Sequence, residues 1–574
     1  MDKILSELSH CYRNGLFNEI IKLVEANPQL LRNIQVANLL AVSYRRIGAF
    51  ESSKKCFESI LVSSKHPGIY VSYAMLLSEM KQFQKACQLL EKAIELDPVY
   101  FDAFLNLGIV ATEKGDYKKG LNSYKKALQI KPQHFGAYLG YIQSLMRVED
   151  LNRALVLCMQ AKFDAPYQLT FRLLAVTIKL KQFSLIEAEK DLLALMDTYP
   201  SRLDVKVLMV RLMLQKGDVL ESIEILKEIN TEAPYDIEVQ TLLFECLMSS
   251  KAHHPFEFYE LACQSQVNKP LLIDYFLKLM KLKYFDVAEQ LIEVNAIEVK
   301  EDDTFSVLKA MVYREKHCFA KSLAQLEHID INNALYASAL YEKAVTLLCA
   351  KEYYQAYENV LEGIKLEPEV SRWQSLEYTC RKCLSLVSSI DLTTDIWIID
   401  NLLTPELLNE LKMFLLSLHK LKKDFIMQSI RDGSQTEGNL FHRDIPILNK
   451  VKAQFIEQLQ INCKKRGVIH TGVINGAWSI LMGENGKHVN HTHSEGTYSA
   501  CFYVLIPKGC KEQGNGWFKC GGANISQTFI DEDDYYIEPI ENRLVIFPSH
   551  LSHGTNSLVG TEKRLTLAFD YKVF

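Results

Sequence analysis

The sequence predicts a two-part molecule: an all-α array of repeated helical pairs, then a strand-rich domain of the sandwich or jelly-roll kind with flanking helices. Three observations carry this expectation. Proline recurs at Pro98, Pro132, Pro166, Pro200 and Pro234, a spacing of 34 residues each time, and self-similarity at such a period marks stacked helical pairs. Beyond Leu392 the apolar period shortens from the helical 3.6 toward the alternation of strands. Between Gly486 and Val504, His488, His491 and His493 fall within six positions and give way to alternating apolar and aromatic residues, which makes this stretch the expected seat of chemistry.

The bulk numbers set bounds. At 574 residues the chain is too long for one hydrophobic core. With 48% hydrophobic and 24% charged residues it has the composition of a soluble globular protein. A net charge of -5 and a pI near 6.3 give no reason to expect a nucleic-acid or anionic-membrane partner. The 14 cysteines are scattered, and Cys11, Cys56, Cys87 and Cys158 each sit alone in a helical pattern, as buried small hydrophobes do in a reducing compartment. The N-terminal segment has an acidic residue, Asp2, and no apolar stretch of the secretory kind; nor does any long apolar run follow. A cytoplasmic protein with few or no disulfides is expected.

The clearest repeat is 101–134, with Leu107-Gly108, Gly115-Asp116-Tyr117, Tyr124, Ala127 and Pro132 at places that resemble the tetratricopeptide repeat. The physical reasons fit. Gly108 and Gly120, like Ala74 and Ala86 one unit earlier, are small enough for two helices to approach closely. Tyr117 and Tyr124 fill the space between units, and the proline ends the second helix. The register extends upstream through Gly15/Phe17, Gly48/Phe50 and Phe83/Ala86, and downstream through Phe285/Ala288, Phe319 and Tyr353/Ala356/Pro368. A degraded unit over 235–268 is interrupted by His253-His254-Pro255. Residues 1–370 thus hold about eleven units, a number at which stacking gives a right-handed superhelix with a concave surface for a peptide or partner helix; self-association is the competing use.

Residues 371–388 read as a capping helix and linker. Cys380 and Cys383 form a CxxC within it, but no second pair stands at zinc-site spacing, so helical neighbours are expected. From Leu392 the chain predicts a short strand, a cap at Thr404-Pro405-Glu406 and an amphipathic helix. The runs AWSILMG, TYSACFYVLIP, GWFKCGG, RLVIFPS and RLTLAFDY then read as strands separated by glycine and polar turns. Residues 389–574 form the expected β domain.

In an extended strand, residues i and i+2 share a face about 7 Å apart, so His491 and His493 can close on one ion. A third ligand must come from elsewhere, and His553, in FPSHLSHGTN, is the best candidate. Arg564 follows eleven positions later. Imidazoles of this kind suit iron, zinc or copper, and an incomplete protein shell leaves room for substrate and oxygen.

These motifs together resemble the Fe(II)- and 2-oxoglutarate-dependent oxygenases, most closely uncharacterised phage and bacterial members with the order W, G, HxH, SxxxY, FPS.L.H and R.S/T. Here the order reads Trp478, Gly486, His491-Thr492-His493, Ser499 to Tyr503, Phe547-Pro548-Ser549 with Leu551 and His553, and Arg564-Leu565-Thr566. A second resemblance, through WSILM, HVNHTH and VLIPKGCK, is to the aspartyl/asparaginyl β-hydroxylases, which can also carry tetratricopeptide repeats. The resemblance covers roughly 390–574. It implies a double-stranded β-helix (jelly roll) with Fe(II) held by His491, His493 and His553, and 2-oxoglutarate and dioxygen as co-substrates. Arg564 is implied to hold the far carboxylate of 2-oxoglutarate by a bidentate pair that lysine matches poorly. Thr566, two residues along the same face, adds a hydroxyl, and Ser479 is a further candidate by analogy with the hydroxylases. The match also places the third ligand at His553 rather than His550.

One departure stands out. Most members use HxD or HxE, whereas His493 occupies the carboxylate's position, so either a neutral third ligand leaves the metal more positive or water takes that place. The β-hydroxylases also lack a carboxylate there. Glu495 lies about 13 Å beyond His491 in a strand and is a poor substitute. Blander readings attach to single residues: His488 as a solvent-facing turn histidine, Asp531 to Asp534 as a solvated loop, Arg564 as a strand arginine paired with Glu562 or Asp570, Trp478 and Tyr503 as core. A cupin dioxygenase would want a glutamate later than Glu495 and has no need of Arg564; a zinc hydrolase lacks its general base. The sequence therefore points to a hydroxylase acting on a protein or peptide recruited by the repeats, with an inert scaffold as the alternative.

Overall fold

In the computed structural model the described residues are 2–62, 64–265, 268–295, 303–331, 333–368, 370–388, 390–419, 429–436, 438–465, 472–494 and 496–573. Two compact units divide the chain, residues 1–178 and 179–573.

The first unit is helical. Its best-formed pair, Phe101–Lys114 and Tyr117–Ile130, shows why the small residues are needed. A Cβ at Gly108 would fall 2.7 Å from the Tyr124 ring, and one at Gly120 would fall 2.5 Å from Thr112 Oγ1. Ala74 and Ala86 are fully buried at the equivalent positions. Gly115 closes the first helix in the left-handed conformation, and Asp116 caps the next by accepting the Lys119 N–H.

That left-handed turn recurs through the helical part of the chain. It is found at Gly15, Gly48, Lys81, Gly115, Glu149, Phe183, Gly217, Lys251, Lys283, His317 and Lys351. Only four of these are glycine, so the other positions accept a conformation that costs an L-residue about 1 kcal/mol, because the packed helix pair on either side fixes the chain's path.

In the second unit the helices continue to Tyr353–Leu366 and Ser371–Cys383. Cys380 and Cys383 are free thiols within the last of these, the helical neighbours expected. Trp373, fully buried, packs so closely on Gly363 that a Cβ there would fall 2.4 Å from its ring.

Eleven strands follow among the described residues: β1 Trp397–Ile399, β2 Ile430–Gln435, β3 Gly472–His488, β4 Tyr498–Leu505, β5 Phe518–Cys520, β6 Asn524–Ser526, β7 Phe529–Ile530, β8 Tyr535–Ile537, β9 Leu544–Pro548, β10 His553–Thr555 and β11 Arg564–Val573. They form a six-stranded sheet in the order β1-β9-β4-β11-β3-β2, a three-stranded sheet β10-β5-β8 and the hairpin β6-β7, with antiparallel pairing. The helix expected after the first strand is Pro405–Leu418, capped by the Thr404 hydroxyl.

Alternation along the strands sorts the large sheet into two faces. Leu565, Leu567, Phe569, Phe502 and Ile546 join Leu411, Leu415, Val451, Phe455 and Leu459 in one core, so the helices Pro405–Leu418 and Pro446–Lys465 cover that face. Tyr503, Val545 and Phe547 point the other way and meet Phe518 and Ile537 of the small sheet. Residues Arg564, Thr566, Ala568 and Asp570 share this second face by parity with one another.

The strand-rich part is packed against the preceding helices rather than tethered to them. Ile525 and Phe529 of the hairpin join the core built by Trp373, Leu376 and Val360. Between its strands, Gln527 donates from its backbone and side chain to the Glu315 carboxylate and carbonyl, at 3.0 Å each. Arg314 ties Glu315 and Glu342 together beneath it. The Arg443 guanidinium lies 3.6 Å from the Phe183 ring centroid. The run Asp531 to Asp534, expected as a solvated loop, is instead ion-paired: Lys382 meets Asp531 and Asp534 at 2.8 Å each, Lys519 meets Asp533 at 2.8 Å, and Tyr378 donates to Asp534 at 2.8 Å. Of its cationic partners, Lys382 stands about 150 residues away in sequence and Lys519 only 14 residues before Asp533.

On the helix-covered face, His419 bridges Ser434 at 2.8 Å and Ser479 at 2.9 Å. Burial lowers its pKa from 6.5 to about 4. Since the unfolded chain binds this proton at higher pH than the folded one, its contribution to stability falls as pH drops through 6.5 and levels off near 4. A His419→Leu variant is expected to be less stable than wild type at pH 7. Its deficit in melting temperature should shrink by pH 4.5, as thermal melts across that range will read.

Candidate metal centre

The site is built where the HxH segment meets the turn before β10. His491 and His553 exchange both backbone hydrogen bonds, at 2.9 and 3.0 Å, as an isolated antiparallel bridge. The His493 N–H donates to the Ser549 carbonyl at 3.0 Å. The segment is thus a bridged loop and not the regular strand its alternation predicts. The effect on the side chains is stronger than the expected sharing of one face. Ring centroids lie 4.5 Å apart for His491 and His553, and 5.0 Å apart for His493 with each of them. One ring nitrogen from each of the three falls within 4.8 Å of the others.

Each ring is oriented from behind. His491 Nδ1 is 2.8 Å from the Val489 carbonyl, His553 Nδ1 is 2.9 Å from the Leu551 carbonyl, and His493 Nδ1 is 2.7 Å from both Asp570 carboxylate oxygens. Carbonyl and carboxylate oxygens only accept, so each Nδ1 donates and each Nε2 is left as the basic nitrogen. Burial, and then the neighbouring histidine charges, push His491 down to about 4 and His553 well below its ordinary value. Both rings are therefore neutral near pH 7, the form that binds metals.

His488 and Asp570 belong here too, although sequence reasoning missed them. β3 runs on to His488 instead of breaking into a turn, and the ring sits 5.7 Å from that of His491, with Ser429 3.0 Å from its Nδ1. Burial first, then the His491 and Arg564 charges, hold its pKa well below normal. It is not the solvent-facing histidine expected. The signal for Asp570 was present in RLTLAFD, where every second residue shares a face with Arg564. Gly486 and Gly554 allow these segments to close: a Cβ on either would come within 2.9 Å of a backbone carbonyl.

A cavity of about 50 Å³ lies beside the three rings, with walls that include Trp478, Phe547, Arg564 and Thr566. That is several times the ~10–15 Å³ a single water needs. Trp478 stacks on His493 with ring centroids 5.6 Å apart. Arg564 and Thr566 are each 2% exposed. The Arg564 guanidinium is 5.5 Å from the Tyr503 ring centroid, and its Nη1 donates to the Gly516 carbonyl, so it pairs with neither Glu562 nor Asp570 in the way a surface strand arginine would. Its Nε and the Tyr503 hydroxyl are buried without a hydrogen-bond partner. Such groups are costly unless something polar meets them.

Ser479 is not brought to this cavity. It stands at an odd position of β3, so it faces the covering helices and bonds His419; the alternation that gathers Arg564 and Thr566 excludes it. His550 lies in the turn before β10 and does not join the three rings. Glu495 lies outside the described residues.

Fold and site together define a helical-repeat protein that ends in a strand-rich domain with a three-histidine cavity. Residues 476–570 match the family described as "Putative 2OG-Fe(II) oxygenase", and residues 67–100 and 101–134 each match the tetratricopeptide repeat. The chain thus carries tetratricopeptide repeats and, on its C-terminal side, a stretch that matches that putative oxygenase family, whose description implies Fe(II) and 2-oxoglutarate. No curated protein matches the chain. Similar solved structures include the crystal structure of MamA, at 23% identity over 27% of this chain and 91% of that one, with a TM-score of 0.24. A tetratricopeptide repeat protein from Parabacteroides merdae ATCC 43184 is 14% identical over 43% and 98%, with a TM-score of 0.34. YrrB, titled a TPR protein with an unusual peptide-binding site, is 20% identical over 32% and 95%, with a TM-score of 0.27. Among the described residues no helix is long and apolar enough to cross a membrane.

Because Asp570 fixes the His493 ring, Asp570→Asn is expected to weaken metal binding about 10–100-fold. Titration of the purified protein with Fe(II) under anaerobic conditions checks this, with Asp531→Asn as the comparison that should leave the affinity in place.

Proposed function

We propose that residues 389–574 are a 2-oxoglutarate- and Fe(II)-dependent dioxygenase of double-stranded β-helix fold, which hydroxylates a protein or peptide. On this reading residues 1–370 form a tetratricopeptide superhelix that recruits the substrate, and 371–388 cap it. The observation that carries the reading is the buried Arg564 guanidinium, whose Nε has no hydrogen-bond partner, in a residue that lines the same cavity as His491, His493 and His553.

The residues present fit the groups the family implies. His491, His493 and His553 would hold Fe(II) through the nitrogens that their backs leave basic, and three protein ligands leave positions for a bidentate 2-oxo acid and dioxygen. When bound, the iron and 2-oxoglutarate supply the oxygen activation that couples decarboxylation to succinate with hydroxylation of the substrate. The chain's own contribution is to bind and orient. Arg564 takes the far carboxylate through the Nε that has no internal partner, with the Thr566 hydroxyl beside it. Phe547 and Trp478 flank the rings and exclude water from them. Asp570 places a carboxylate behind His493, so the charge that most family members supply as a direct ligand stands one residue further from the metal. The repeats support a protein partner, since stacked helical pairs offer an extended surface to a peptide.

Succinate release from purified protein given Fe(II) and 2-oxoglutarate tests the proposal. His553→Ala is expected to lower the rate at least ~100-fold, since removal of a metal ligand removes the centre. Arg564→Ala is expected to raise the KM for 2-oxoglutarate roughly 10–100-fold, the loss of a charged hydrogen bond. Equal rates in all three proteins would leave an inert scaffold as the better account.

A further inference from the structure

The free room of the inner cavity lies over one transverse row of the large sheet. Ala568 of β11 pairs with Trp478 of β3 on one side and with Cys501 of β4 on the other, so the three side chains stand abreast on the cavity face. All three line the cavity and are partly accessible. Trp478 also borders a second cleft outside the histidines, whereas Cys501 and Ala568 do not, so their accessible surface belongs to the inner space. The neighbouring rows are closed. Thr566 is buried with Tyr503 and Ile480 on one flank, and Asp570 is buried with Ser499 on the other.

The open row stands between the two ends that the site offers a ligand. Along the cavity face of β11 the order is Arg564, Thr566, Ala568, Asp570, and Asp570 holds the His493 ring from behind. Arg564 is 2% exposed and its Nε has no hydrogen-bond partner, a cost that a polar ligand relieves. A molecule that reaches from this guanidinium to the histidines therefore passes over Ala568, which lies about 7 Å along the strand from Thr566 and from Asp570 alike.

What it meets there is small. Ala568 carries the least bulky side chain on the cavity face of β11, and Cys501 beside it is longer by a single heavy atom. Burial raises the Cys501 thiol above its ordinary pKa, so it stands there as a neutral side chain and not as a thiolate nucleophile. Trp478 closes the third side, stacked on His493. In a space of about 50 Å³, one methyl group more or less is felt.

We propose that Ala568, with Cys501 beside it, selects the co-substrate: the row admits a 2-oxo dicarboxylate with an unbranched chain and rejects one that is branched between its carboxylates. The ligand class rests on the dioxygenase reading above; the residues that do the selecting follow from the register of the sheet.

Isothermal titration calorimetry tests this on the full-length protein loaded with Fe(II) under anaerobic conditions, where binding is read without turnover. The probes are 2-oxoglutarate and its 3-methyl and 4-methyl derivatives. Wild type is expected to bind 2-oxoglutarate at least ~tenfold more tightly than one or both derivatives. Ala568→Gly should recover affinity for the rejected derivative, and Ala568→Val should weaken 2-oxoglutarate itself at least ~tenfold. Since glycine weakens a strand interior, Cys501→Ala opens the same row a second way and should relax the selection in the same direction. Fe(II) affinity, titrated before the acid is added, should stay near that of wild type in all three variants. Variants that lose Fe(II) and 2-oxoglutarate together would make the row structural and overturn the proposal, as would an unchanged ratio between the acids. Failure of Fe(II)-loaded wild type to bind 2-oxoglutarate sinks the dioxygenase reading and the selection with it, while equal binding of all three acids sinks the selection alone.

Discussion

Everything at the histidine site depends on the two-residue period of the large sheet. A strand cannot send neighbouring side chains to one face, so RLTLAFDY, read along β11, alternates between helix-facing core and cavity. Leu565, Leu567 and Phe569 pack under the covering helices while Arg564, Thr566 and Asp570 stand opposite. One sheet thereby anchors itself with half of its residues and lines the histidine cavity with the rest. The apolar half makes the polar half tolerable: a guanidinium 2% exposed and three imidazoles are held in place by a core on the other face of the sheet.

The same period explains what could be read from the chain. The strands, the capped helix after β1 and the 34-residue register were legible because each is a local pattern. The convergence of His491, His493 and His553 followed from the spacing of a known motif. His488 was misread because a polar GENGKH stretch looks like a turn, yet β3 runs through it, paired with β2 at its end. Asp570 was not picked out for the site, and Ser479 was offered by analogy, for one reason: parity along β11 and β3 decides which face a residue takes, and resemblance alone does not count parity. Ion pairs such as those of Asp531 and Asp534 with Lys382 join residues about 150 positions apart and leave no local trace.

The repeats show the complementary case. Glycine marks the left-handed turn at Gly15, Gly48, Gly115 and Gly217, but Lys81, Glu149, Phe183, Lys251, Lys283, His317 and Lys351 adopt the same backbone without it. Local propensity argues against those positions, and packing of the adjoining helices overrules it. The periodicity of the backbone is therefore more regular than that of the letters.

The β6-β7 hairpin bears on how the molecule can be taken apart. Severing the chain near residue 389 would strip Ile525 and Phe529 of their cover and leave Arg314, Glu315 and Glu342 around an empty socket. The boundary between the two compact units lies elsewhere, among the repeats at residue 178. Helices beyond it serve the strand-rich part as foundation, so the two can be moved only together.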